Sequence, residues 1–238
     1  MTRPAISIIL PAYNAEAFVA EAIDSILAQT CDDWEIIAVN DGSSDRTGEI
    51  LDEYATRLKE ADSPVHPRMT VIHQENQGLA AARNNAIEMM RGRYIALLDA
   101  DDIWLPEKLQ RCLDYLETHD DAIVYTPMDP FDAETGKRME GHSKPCHAGQ
   151  LTEKLFMSIF VHDPAAVFEK RVIDECGGFD ESIPVSIGNE FWLRVSTTFT
   201  FGLIDEPLAW RRWSEASLTR GNRLRGRTIK ANMLERFY

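Results

Sequence analysis

The chain has 238 residues, enough for one large domain with a substantial core, and its formal charge of −14 argues against nucleic acid as a partner. Cys31, Cys112, Cys146 and Cys176 are scattered with no Cys-x-x-Cys spacing, which favours thiols in a reducing compartment over a disulfide framework or a zinc site. No signal peptide and no apolar stretch long enough to span a membrane is read, so the expected location is cytoplasmic.

A first strand is predicted over residues 7–10, stopped by Pro11, and a helical period follows over 18–28. A second strand over 34–39 breaks at the turn formers 40–45, and a helix runs over 47–61. A third strand over 69–73 and a helix over 79–90 lead to a fourth strand over 94–98. A helix over 107–118, with Pro106 at its start, and a strand over 122–125 complete the series. Strands alternating with helices at this spacing mean βαβ units and a mainly parallel sheet, an α/β, Rossmann-like architecture.

After Thr126 the rhythm is lost. Residues 128–150 read as a polar loop, in which His142, Cys146 and His147 are either metal ligands or simply solvated. A strand over 165–168, a turn over 177–181, a helix over 191–197 and a short strand over 201–204 follow. Eight Lys or Arg against two Glu give residues 210–238 a local charge of +6. Such an arm suits an anionic membrane surface or phosphate-bearing acceptor, a solvated helix, or a subunit contact in a homodimer. One domain is expected, with a nucleotide-binding half over 1–126, an acceptor-side half over 127–210 and the basic arm over 211–238.

The chemistry gathers where Tyr94-Ile95-Ala96-Leu97-Leu98 runs into Asp99-Ala100-Asp101-Asp102. Three acids within four residues repel unless a cation sits among them, and hard oxygen ligands suit Mg2+ or Mn2+. Asp102 has a second reading, as the cap of the helix after Pro106. The first four strands all end in polar or turn-forming residues, and in a parallel sheet those ends share one edge. Tyr13 could cover a ring, Asp41 accept from a ring N–H, and Arg83 bind an anion or lock a carboxylate. These parts suit a nucleotide whose phosphates sit on a divalent ion. No Gly-x-Gly-x-x-Gly or Gly-Lys-Ser/Thr motif occurs, so neither a dinucleotide fold nor a P-loop is indicated.

The segments SIILPAYNAEAFVAEAIDSILAQT, WEIIAVNDGSSDRT, NQGLAAARNNAI, YIALLDADDIWLPEKL and GGFDESI resemble the inverting, non-processive glycosyltransferases of family 2, which have the GT-A fold. The resemblance implies that Pro11, Ala12, Tyr13 and Asp41 hold the base, usually uracil. Arg83 would then lie near the nucleotide, Asp99 near the ribose, and Asp101 on Mn2+ or Mg2+. It also implies a nucleoside diphosphate sugar as donor and a glycan or lipid-linked hydroxyl as acceptor. A Glu-Asp pair that supplies the family's base is missing: aligning on Trp192-Leu193-Arg194 puts Ile187-Gly188 there, and leaves Glu190, then Asp180, as candidate bases. A His common near the C-terminal strand is replaced by Trp213. Two other readings stand beside the transferase: a non-catalytic sugar-nucleotide binder, prompted by the missing pair, and a haloacid-dehalogenase-like phosphatase with Asp99 as nucleophile.

Overall fold

The computed structural model describes residues 3–60, 69–132, 135, 137, 139 and 145–213; His142 and residues 214–238 of the basic arm lie outside them. The first half runs β1 (Ile6–Ala12), α1 (Val19–Leu27), β2 (Trp34–Asp41), α2 (Thr47–Glu60), β3 (Met69–Gln74), α3 (Leu79–Met89) and β4 (Tyr94–Leu97). The chain continues through β5 (Ile103–Trp104), α4 (Lys108–Thr118), β6 (Ile123–Tyr125), β7 (Met128–Asp132) and α5 (Thr152–Met157). A 3₁₀ turn (Asp163–Ala165) then leads to β8 (Ala166–Glu169), α6 (Arg171–Cys176), α7 (Ile187–Val195), β9 (Phe201–Leu203) and β10 (Ala209–Trp213).

Seven strands form one sheet in the order β3-β2-β1-β4-β8-β6-β9. Every pairing is parallel except those of β8, which runs against both β4 and β6. The period-two side-chain alternation divides the core between two faces. Ile8, Ile36, Ala96 and Val124 pack with Ile23, Leu51 and Leu109 of α1, α2 and α4. Ile9, Ile37, Ile95 and Phe168 pack on the other side with Ala82, Ala86 and Phe191 of α3 and α7. Both faces of the central strands are therefore buried, which is why they read as apolar runs, broken only by the paired Ser7 and Glu35 near their starts. Small side chains on α3 let that helix lie close over β1 and β2.

Several expectations after Thr126 are corrected. Residues 128–132, read as loop, form β7, and residues 209–213, read partly as arm, form β10; with β5 they make a three-stranded sheet in the order β5-β10-β7. Pro130 hides β7 from pattern reading, but β7 is an edge strand, where the missing N–H of proline is tolerated. Helix α7 starts at Ile187 rather than 191, taking in Gly188 and Asn189, which are weak helix formers. Among the described residues no helix is long and apolar enough to cross a membrane.

Candidate active site

The parallel register aligns the ends of β1 to β4 along one edge, with Ala12 beside Asn40, Asp41 beside Gln74, and Ile9 beside Leu97. Pro11 and Ala12 close β1 within the core, and Tyr13, just beyond, is 54% exposed. The tips of β1 and β2 are stitched together. Asn14 Oδ1 accepts from the Ser44 N–H (2.9 Å), and Thr47 Oγ1 accepts from the Ala15 N–H (2.7 Å). Asp41 is buried, and it holds the loop after β3. Its Oδ1 accepts from Gln74 Nε2 and the Gln77 N–H (both 2.8 Å), and its Oδ2 accepts from the Gly78 N–H (2.9 Å). Gly42 follows at φ +72°, and a Cβ there would stand 2.6 Å from Asn76 N, so only glycine lets the two tips meet.

Arg83 of α3 is fully buried and joins two carboxylates: Nη2 donates to Asp99 Oδ1 (2.7 Å) and Nη1 to Asp163 Oδ2 (2.6 Å). Burial alone would lower its pKa, but Asp163 and then Asp99 outweigh that and hold the guanidinium charged. Asp99 nevertheless moves upward rather than down, because burial and then the Asp163 charge outweigh Arg83's attraction. Asp163 Oδ1 also accepts from Trp192 Nε1 (2.7 Å). Because β8 runs antiparallel to β4, the turn that begins β8 arrives at the edge where β4 ends, which brings Asp163 to Asp99.

The three acids after Leu98 do not form a three-carboxylate cage. Asp102 is buried, its Oδ1 accepting from the Arg212 N–H of β10 (3.0 Å). It does not cap α4, whose first residue is Lys108. Arg212 also donates from Nε to the Asp101 carbonyl (3.0 Å) and from Nη2 to Glu21 Oε2, tying the β4 tip to α1. That leaves Asp101 as the open carboxylate, pushed above the usual range by dehydration of its surroundings and then by Asp99. Among the described residues no three His, Cys, Asp or Glu form a metal cage. One or two carboxylates backed by ligand phosphates is a normal donor set for Mg2+ or Mn2+, and the open Asp101 fits it. His147 faces Phe160 edge-on, and its backbone bonds to the Tyr125 hydroxyl.

A family profile described as Glycosyl transferase family 2 matches residues 7–177. The chain belongs to that family. It is 32% identical over 204 residues to a chondroitin synthase from Escherichia coli, an alignment covering 85% of this chain and 28% of that protein. It is 46% identical over 121 residues to the uncharacterised glycosyltransferase EpsJ of Bacillus subtilis (strain 168), covering 51% and 33%. The chain thus spans a third or less of the length of these two relatives. Its fold is GT-A, shared with S. aureus TarS 1-349 in complex with UDP-GlcNAc (TM-score 0.72, 18% identity, 89% of this chain and 59% of that one). The mannosyltransferase PcManGT of Pyrobaculum calidifontis, solved with GDP-Man and Mn2+, is similar in fold (TM-score 0.68, 16% identity, 94% and 61%). Family 2 membership sets the phosphatase reading aside.

The family 2 resemblance leaves its base position at Ile187-Gly188. Of the two substitutes named from sequence, Glu190 is buried and gripped by Arg194 of the same helix, Nε to Oε1 (2.7 Å) and Nη2 to Oε2 (2.9 Å). The same Arg194 donates to the carbonyls of Cys176 (2.5 Å) and Gly178 (2.8 Å), so the pair fastens α7 to the 177–181 turn. Asp180 Oδ1 accepts from the Ser182 N–H (2.9 Å) and hydroxyl (2.6 Å) inside that turn. Sequence reasoning missed Asp163, although Asp-Pro directly before an apolar strand was the available signal.

Proposed function

We propose that the chain moves a sugar from a nucleoside diphosphate, UDP foremost, to a hydroxyl of a glycan or lipid-linked acceptor, with a divalent cation and with inversion at the anomeric carbon. One observation carries this reading: the tips of β1, β2 and β4 share an edge, with exposed Tyr13 at one end and the open Asp101 carboxylate at another. Tyr13 covers the base, with Pro11 and Ala12 beneath it. Asp41 fixes the loop that borders the base and receives its ring N–H on a remaining lone pair. Asp99, oriented by Arg83, receives the ribose. Asp101 is the residue to hold Mn2+ or Mg2+, which when bound supplies Lewis-acid relief of charge on the departing diphosphate. The acceptor oxygen attacks from the face opposite the diphosphate, so one displacement inverts the centre. The relatives' names support a nucleotide sugar: TarS was solved with UDP-GlcNAc and PcManGT with GDP-Man and Mn2+.

A second reading, a sugar-nucleotide binder without turnover, is favoured by one fact: no acid stands at 187 or 188. The experiment is UDP release from a panel of UDP-sugars with Mn2+ and with EDTA, alongside UDP binding by calorimetry. Mn2+-dependent release supports the transferase, and binding without release supports the binder. No binding refutes both. The basic arm we assign to an anionic membrane surface; flotation with anionic vesicles in low and high salt tests it.

A further inference from the structure

Gly188 stands where family 2 is expected to carry its carboxylate, and the space beside it is filled. A Cβ built on Gly188 would overlap the carboxylate of Asp163. The acid is therefore present in the site but comes from another segment, the turn before β8 instead of the start of α7. We infer that Asp163 supplies the base that the 187–188 pair lacks, and takes the proton of the attacking hydroxyl. This rests on the transferase reading above.

The surroundings suit the task. The side chain of Asp163 is 15% exposed, so it reaches solvent, whereas the buried Glu190 carboxylate is committed to Arg194. Its two oxygens each receive one donor, from Trp192 and Arg83, which fixes the plane of the carboxylate and leaves a lone pair on each. The turn behind it is held as firmly. The Pro164 carbonyl accepts from Trp104 Nε1 (2.7 Å), and the Ala165 carbonyl from buried Lys108 Nζ (2.9 Å). Four elements (α3, β5, α4 and α7) thus fix three consecutive residues, the kind of support a base needs to stay in line. In the step, the acceptor oxygen bonds to the anomeric carbon, and the bond from that carbon to the diphosphate oxygen breaks with its electron pair. The acceptor proton passes to an Asp163 oxygen.

The test uses the full chain with UDP-sugar and Mn2+, water serving as acceptor and UDP release as readout. Asp163→Asn is expected to slow release by about 10²–10⁴-fold, the usual worth of a general base, with UDP affinity within about twofold of the parent. Moving the acid back, in the double variant Asp163→Gly with Gly188→Asp, is expected to recover at least tenfold of that loss. A purely structural Asp163 predicts that release recovers only as far as Tm does, so recovery of release beyond that of Tm is the reading that marks a base. Should Asp163→Asn fail to fold, Gly188→Ala pushes the carboxylate aside without removing it, and the same loss of release is expected. Parent-like release in whichever single variant folds, or a double variant no faster than Asp163→Asn, overturns the inference while the transferase reading stands. A parent protein that releases no UDP from any donor overturns both.

Discussion

Replacing Glu190 by Gln should lower stability and leave turnover alone. The substitution keeps the shape of the side chain but turns one acceptor of the bidentate grip into an amide facing the Arg194 guanidinium. One charge-assisted hydrogen bond is lost, worth about 1.5–3 kcal/mol, and the arginine keeps its bond to the remaining oxygen. Removing a partner from a fully buried pair takes about 3–5 kcal/mol. Arg194 is 23% exposed and still bonds three carbonyls, so the lower figure of about 1.5–3 kcal/mol applies. For a domain of this size that is a fall in Tm of about 3–12 °C. Thermal unfolding by circular dichroism, with UDP release measured at 20 °C, reads both quantities on one preparation. A Tm within 1 °C of the parent together with a hundredfold loss of release would make Glu190 the base and refute the account of Asp163.

Other outcomes follow from the same geometry. Asp101→Asn, or EDTA on the parent, should slow UDP release on the order of 10³-fold, because several kcal/mol of leaving-group stabilisation goes with the cation; release that EDTA does not touch would count against it. Arg83→Met leaves Asp99 and Asp163 without their shared countercharge, so urea unfolding should register a loss of about 3–5 kcal/mol. Glu169 tests acid stability. Burial alone would raise its carboxyl, yet bonds from Arg171 and Arg93 hold it below the ordinary value. Its folded pKa is the lower one, so its stabilisation is complete above the ordinary Glu range and drains as pH falls through the folded value. The gap in urea midpoint between parent and Glu169→Gln should therefore narrow between pH 6 and pH 3, and a constant gap would disprove the linkage.

What the sequence disclosed, and what it withheld, has a physical pattern. β1, β2 and β4 are covered on both faces, so their residues form apolar runs, and the polar tips that close them mark one edge of the sheet. Tyr13, Asp41, Asp99 and Asp101 could be set on that edge from residue type alone. The direction of β8 could not, because Ala-Val-Phe-Glu reads the same whether the strand runs up or down. Asp163 was lost with it. Asp102 was misjudged for a different reason: its partner is a backbone N–H on a strand 110 residues away, and no local pattern carries that information. The Glu190–Arg194 pair, by contrast, has the i, i+4 spacing that favours a grip within one helix, a signal that the sequence itself carries.

The sheet order has a practical bearing on anyone who would trim this chain. β6 comes from the first half, yet both of its neighbours, β8 and β9, come from the second. A fragment stopped after residue 126 would keep the nucleotide edge on paper while stripping β6 of every strand that flanks it, and would strand the buried Arg83 with a single counterion. The two halves of the chain are woven into one sheet, and neither can be lifted out as a cassette.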